Sequence, residues 1–189
     1  MGQQKLLEVI QVQRHDFLNH LQVVSGFLQL NKPQQAGNYI KQVIADLQVI
    51  SQTAWLVIPE VTAALLVGFN EAAKIQMEML LDVDTKMDAC AVPDTEVGNA
   101  LEVVLDHFFE NLSPAKTSKR QFTLDFTEDP GKYTISLCTR ASYIADFLSL
   151  EKGLTVVQER LNKFGGACAG KISGDNQVIY LDFPKRKGR

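Results

Sequence analysis

The chain has 189 residues, 46% hydrophobic and 22% charged, which is enough apolar material for a buried core and too little charge for an intrinsically disordered polymer. Its 19 Lys and Arg against 22 Asp and Glu leave a formal charge of −3, so no global basic field points to a nucleic-acid partner. Three cysteines (Cys90, Cys138, Cys168) are odd in number and make no CxxC pair, which argues against a disulfide framework or a zinc site and fits a reducing compartment. No apolar run approaches the roughly 18–20 residues that span a bilayer. Residues 1–5 lack the apolar centre of a signal peptide. The expectation is a cytoplasmic protein with neither a membrane nor a nucleic acid as partner.

From 3 to 57 the periodicity is helical. Leu7, Ile10, Arg14, Phe17, Leu21, Val24 and Leu28 recur at spacings of three and four, with Arg14 the one polar member. That is a heptad seam of about three and a half repeats. Asn31-Lys32-Pro33 interrupts it, because proline disfavours helical geometry in the residue before it. A second seam then runs through Ala36, Ile40, Val43, Leu47, Ile50, Ala54 and Val57. Two long helices joined by a short turn run antiparallel. Leu18, Phe27, Tyr39 and Ile44 widen each apolar face beyond what one partner helix covers. A symmetric homodimer supplies the missing hairpin and makes a four-helix bundle. Docking onto the second half of the same chain is the other way to cover these faces, and the dimer is the preferred expectation.

Pro59 marks the next break, and beyond it the pattern becomes mixed α/β. A helix is expected over 61–74 and an alternating strand over 75–83. Asp94 or Thr95 is placed to cap a helix over 96–112, with Val97, Leu101, Val104, Leu105 and Phe108 inward. Strands over 121–126 and 133–138 flank the turn Asp129-Pro130-Gly131. A helix over 154–164 ends at Gly165-Gly166, and a last hairpin, 167–172 with 178–183, turns at Gly174-Asp175-Asn176. The basic tail 184–189 is expected to fray. The chain thus divides into a helical hairpin, 1–58, and an α/β domain, 59–189.

On the first helix Glu8, His15, Asn19, Gln22 and Gly26 face away from the seam. His15 therefore points to solvent between Arg14 and Asp16, with Asn19 one turn later. Imidazole is an adequate nucleophile near neutral pH. Asn19 is placed to orient the ring or to bond a phosphoryl oxygen, and Arg14 to offset the charge that such a group brings. Taken alone, an exposed histidine is more often decoration than chemistry.

The string Arg14-His15-Asp16-Phe17-Leu18-Asn19-His20-Leu21-Gln22-Val23-Val24-Ser25-Gly26-Phe27-Leu28-Gln29-Leu30 changes that balance. It resembles the phosphoacceptor helix shared by sporulation initiation phosphotransferase B and the sensor histidine kinases of the citrate/fumarate type. The family pattern is Arg-His-Asp/Glu-aromatic-x-Asn-x-Leu-x-x-Ile-x-Gly-Leu-Leu-x-Leu. The resemblance implies that His15 carries the phosphoryl group. The family often has Lys or Arg where this chain has His20, which reads more simply as a surface pair with Asp16 than as a catalytic group. Residues 59–74 look like the segment that joins such a hairpin to a GHKL-type ATPase domain, and the later element order matches that domain in outline.

The nucleotide motifs of the family are where this chain departs. Its asparagine for magnesium-ATP, in an Asp-Asn-Ala context, is answered here by Asp106-His107-Phe108. Its Asp-x-Gly-x-Gly is answered by Thr139-Arg140-Ala141-Ser142-Tyr143, and its second glycine-rich lid by Gly153-Leu154 before Thr155. Glycine loops bring backbone N–H groups close to phosphates, so these losses remove the expected apparatus for ATP. His107 reads as a partly buried polar side chain, Cys138 and Cys168 as core, Trp55 as packing or interface, and Lys185-Arg186-Lys187 as a solvated cluster. The resemblance implies a histidine phosphotransferase of a bacterial phosphorelay, with catalytic His15, Asn19, Arg14 and Asp16. It would pass a phosphoryl group between aspartates of response-regulator receiver domains, with no intrinsic cofactor and Mg2+ brought by the receiver. The alternatives are a non-catalytic module that binds a receiver or kinase, and a short soluble histidine kinase with an atypical ATP site.

Overall fold

A computed structural model describes residues 3–114 and 120–186 of the chain. The Ile50 side chain of the second seam and Lys187 of the basic cluster lie outside what is described. Helix α1 spans Gln3–Gln29 and α2 spans Pro33–Ser51. The turn between them is a Schellman motif: Asn31 adopts φ 56°, Lys32 N–H donates to Phe27 O at 2.8 Å, and Asn31 N–H donates to Leu28 O at 3.0 Å. Asparagine tolerates this left-handed conformation better than most residues. Pro33 then stands at the first position of α2, so it starts the second helix as well as ending the first.

The second seam does not continue to Val57. Helix α2 ends at Ser51, a 3-10 turn takes Gln52–Trp55, and the chain then extends. Leu56 and Ile58 enter the core of the α/β domain, while Val57 faces out, 52% exposed, with its N–H on Lys86 O. Alternation of an extended segment, rather than helical rhythm, governs these last positions.

Helix α3 is Pro59–Lys74, with Pro59 in its first turn, and strand β1 is Met77–Val83. Helix α4, Asp94–Glu110, follows Pro93 at the N-cap position without a side-chain cap. Neither Asp94 nor Thr95 therefore acts as the cap; Asp94 and Glu96 sit in the first turn, where negative charge suits the helix dipole. Strands β2, Arg120–Glu128, and β3, Lys132–Arg140, form a hairpin. Helix α5, Phe147–Asn162, begins seven residues earlier than its sequence suggests, because Asp146 caps it by accepting from Ser149 N–H at 2.9 Å. Strands β4, Ala167–Ser173, and β5, Asn176–Pro184, complete the domain.

The sheet order is β1-β2-β3-β5-β4, with β1 and β2 parallel and the other neighbours antiparallel. A parallel pair needs a crossover, and α4 supplies it. Phe122, Leu124, Ile135, Leu137, Leu181 and Phe183 alternate onto one sheet face and are buried against α3, α4 and α5. The result is the helical hairpin plus α/β sandwich expected for a kinase-like fold.

Three smaller expectations are corrected by packing. Cys168 is buried, but Cys138 is half-buried on the sheet face away from the helices. Lys185 and Arg186 do not fray: Lys185 bridges Cys90, its Nζ is 2.6 Å from Glu128 and lies over the Tyr133 ring, and Arg186 N–H donates to Ala89 O at 2.7 Å. Gly153 lies inside α5 rather than in a loop before it.

Candidate functional site

His15 sits near the middle of α1 with its side chain 74% exposed. Helical spacing brings Asn19 onto the same face, and its amide Nδ2 lies 3.0 Å from His15 Nδ1. Asp16 Oδ1 stands 3.6 Å from the same ring nitrogen. Both contacts converge on Nδ1, which leaves Nε2 as the nitrogen directed away from the helix. Arg14 is exposed beside them. The structure thus brings His15, Asp16 and Asn19 into one constellation and keeps Arg14 on the adjoining surface.

His20 does not pair with Asp16. Its Nδ1 lies 2.9 Å from the hydroxyl of Tyr39 on α2, and Tyr39 meets Phe27 edge-on at 6.1 Å. The ring is part of the hairpin interface, and no spacing along one helix could have disclosed a partner on the other. An apolar groove of about 710 Å3 runs between the helices beside the His15 face. Phe17, Leu21, Ile40, Ile44 and Leu47 line it and remain between 42% and 59% exposed.

Two of the three segments that the family resemblance assigns to nucleotide pack against each other. On α4 the His107 ring packs directly on α5: a Cβ added at Gly153 would stand 2.5 Å from His107 Cγ and Cδ2. Glu96 and Arg160 tie the same two helices together at 3.2 Å. His107 Nδ1 is 3.5 Å from Glu110, one turn along α4. The chain also holds Glu110-Asn111-Leu112, closer to the Asp-Asn-Ala context than the segment around His107. Asn111 is 7% exposed, however, and its amide donates to His107 O at 2.8 Å, closing the end of α4. The turn after β3 is stitched to this end: Ser113 N–H donates to Tyr143 O and Ala145 N–H to Asn111 O, both at 2.8 Å. The segment that answers Asp-x-Gly-x-Gly is thus bonded to the end of α4 and contains no glycine. Among the described residues, no group of three or more His, Cys, Asp and Glu side chains is placed to hold a metal ion.

Residues 1–56 match the family model for the sensor kinase SpoOB-type α-helical domain. Over nearly the whole chain, the histidine kinase AdeS of Acinetobacter baumannii superposes with a TM-score of 0.55 at 12% identity, covering 92% of this chain and 98% of that one. The chain has a SpoOB-like sensor-kinase fold. A histidine kinase from Burkholderia phymatum STM815 agrees, with a TM-score of 0.54 at 10% identity over 97% of each chain. The histidine kinase ThkA, solved in complex with the response regulator protein TrrA, gives 0.51 at 14% identity, covering 95% of this chain and 61% of that one. At such identities the likeness is one of fold. No curated protein matches the sequence. Among the described residues no helix is long and apolar enough to cross a membrane.

Proposed function

We propose that the chain is a cytoplasmic histidine phosphotransferase of a bacterial phosphorelay, acting between response-regulator receiver domains through a phosphohistidine at His15. One observation carries the reading. The imidazole stands in solvent with one nitrogen held, while in the kinase-like domain His107 packs on Gly153 where the family resemblance expects an asparagine and a glycine-rich lid.

The chemistry asks little of this chain beyond alignment. With its proton on Nδ1, shared with Asp16 and with an Asn19 amide turned to present Oδ1, the ring offers the Nε2 lone pair. Nε2 attacks the phosphorus of an aspartyl phosphate on the first receiver. The N–P bond forms as the P–O bond breaks, and the aspartate leaves as carboxylate. In the second half-reaction a carboxylate oxygen of another receiver attacks the same phosphorus, the N–P bond breaks and neutral imidazole returns. The transition state is loose, so positioning and charge neutralisation do most of the work. Asp16 balances the imidazolium and Arg14 the phosphoryl oxygens. The Mg2+ ion arrives with the receiver, and the chain contributes no cofactor of its own. A complex between ThkA and its response regulator supports receiver docking on a fold of this kind.

Two copies make the unit. Leu21, Ile40, Ile44 and Leu47 stay exposed in one hairpin, and a second hairpin on the groove would bury them and place two His15 rings on one bundle. The test is mass analysis after mixing the chain with a phosphorylated receiver. Label is expected on the wild type, none on His15→Ala, and transfer slowed about tenfold or more in Asn19→Ala. Label on His15→Ala would overturn the site, and stable labelling of His15 by ATP without a receiver would make the protein a kinase. Receiver binding without transfer would make it a regulatory module.

A further inference from the structure

The groove between α1 and α2 and the face that carries His15 share a residue. Gln13, Asp16 and His20, at spacings of three and four along α1, make the polar wall of the groove, and apolar side chains of both helices make the rest of it. Asp16 also stands beside the reactive ring, with Oδ1 3.6 Å from His15 Nδ1 and its side chain 57% exposed. At that distance the carboxylate makes no hydrogen bond to the ring, and the water around it weakens the attraction that remains. In a single copy of the chain Asn19 is the closer neighbour of Nδ1, at 3.0 Å.

What fills the groove therefore decides how strongly Asp16 acts. The apolar seam that packs α1 on α2 runs on into the groove, and the α/β domain leaves Leu21, Ile40, Ile44 and Leu47 exposed there. The same seam on a second copy, related by a two-fold axis, matches it in length and width. A hairpin seated on the groove displaces water from the groove side of Asp16, and charge interactions strengthen as water is withdrawn. The ring becomes cationic when Nε2 takes a phosphoryl group and the proton stays on Nδ1. The strengthened attraction is thus felt on the way to phosphohistidine and not by the resting, neutral ring, which is the condition for raising a rate.

We infer that the second copy completes the phosphoacceptor site through Asp16, a positioning residue that belongs both to the dimer groove and to the surroundings of His15. The inference rests on the phosphotransfer reading, so the experiment uses phosphoramidate, a small donor that needs no receiver. Nε2 attacks its phosphorus, the new N–P bond forms as the donor's own N–P bond breaks, and ammonia leaves. Label at His15 of the full chain is timed by peptide mass analysis across dilutions over which sedimentation follows dimer and monomer. The rate constant per chain is expected to rise about fivefold or more with the dimer fraction in the wild type and to stay flat in Asp16→Asn. Ile40→Asn, a neutral change on the α2 wall of the groove, is expected to move the dimer and the faster rate to higher concentration together, with unchanged circular dichroism. If the wild type is dimeric at every dilution, Ile40→Asn and its double variant with Asp16→Asn carry the same comparison. A rate constant that is flat while the dimer dissociates, an Asp16→Asn that keeps the rise, or a wild type that is monomeric throughout would each overturn the inference. No label at His15 from phosphoramidate would overturn it together with the phosphotransfer reading. Coupled labelling by phosphoramidate with none from a phosphorylated receiver would overturn that reading alone.

Discussion

A single ring nitrogen organises the surface of α1. His15 Nδ1 lies 3.0 Å from the Asn19 amide and 3.6 Å from Asp16 Oδ1, so both local contacts gather at one ring nitrogen. These three residues are legible in sequence because they lie within one helical turn of each other, where spacing dictates proximity. His20 was not legible, since Tyr39 reaches it only when the hairpin closes. A different residue offers a direct check on burial. The Cys168 thiol is pushed up to about 12 by burial, from an ordinary 9.0. The folded state therefore keeps its proton where the unfolded chain has already lost it. The stability that the neutral thiol contributes is complete below pH 9.0 and is lost as the pH rises toward 12. Urea midpoints measured over that range are expected to fall less steeply in Cys168→Ala than in the wild type.

Between elements, two glycines set how closely helices approach. A Cβ at Gly98 on α4 would stand 2.4 Å from Glu60 Cβ and 2.9 Å from the Glu60 carbonyl carbon on α3. The three atoms nearest a Cβ at Gly153 all belong to the His107 ring, a side chain that is able to turn aside. Gly98→Ala is accordingly expected to cost about 2–3 kcal/mol and Gly153→Ala about 1–2 kcal/mol, read from urea unfolding. His107→Ala should restore part of the loss at Gly153 and none of the loss at Gly98. Equal costs, or no rescue, would show that the α4–α5 contact is not what the ring fills. In sequence Gly153 reads as the remnant of a loop, because Gly-Leu before Thr155 resembles a broken lid. The 3–4 spacing of Phe147, Leu150, Leu154, Val157 and Leu161 was the signal that a helix already ran through it.

For the molecule as a whole, the α/β domain buries its apolar faces and the hairpin does not. Strand alternation in β2, β3 and β5 closes a core around Phe122, Leu137 and Phe183, whereas Leu7, Phe17, Leu21 and Leu28 on α1 are more than half exposed. An apolar stripe of this length on an otherwise folded chain calls for a partner surface. Sedimentation velocity is expected to show the wild type at about twice its 21.0 kDa mass. Leu21→Asp should sediment as a single copy with unchanged circular dichroism, because charge in the seam disfavours association without touching the core. A wild type that sediments at 21.0 kDa would refute the dimer.

Sequence by itself determined the periodic and local features: two long helices, the strand alternation, and the placing of His15 and Asn19 on the outward face of the first helix. Each depends on spacing within one element, and repeat and pleat geometry translate spacing into position. Tertiary structure decided what depends on groups far apart in the chain. It paired His20 with Tyr39, packed His107 on Gly153, docked Lys185 on Glu128 and Tyr133, and buried Arg120 with its Nη1 on Ser113 O. Those contacts follow from helix crossing and strand order, which bring together residues that no local rhythm relates.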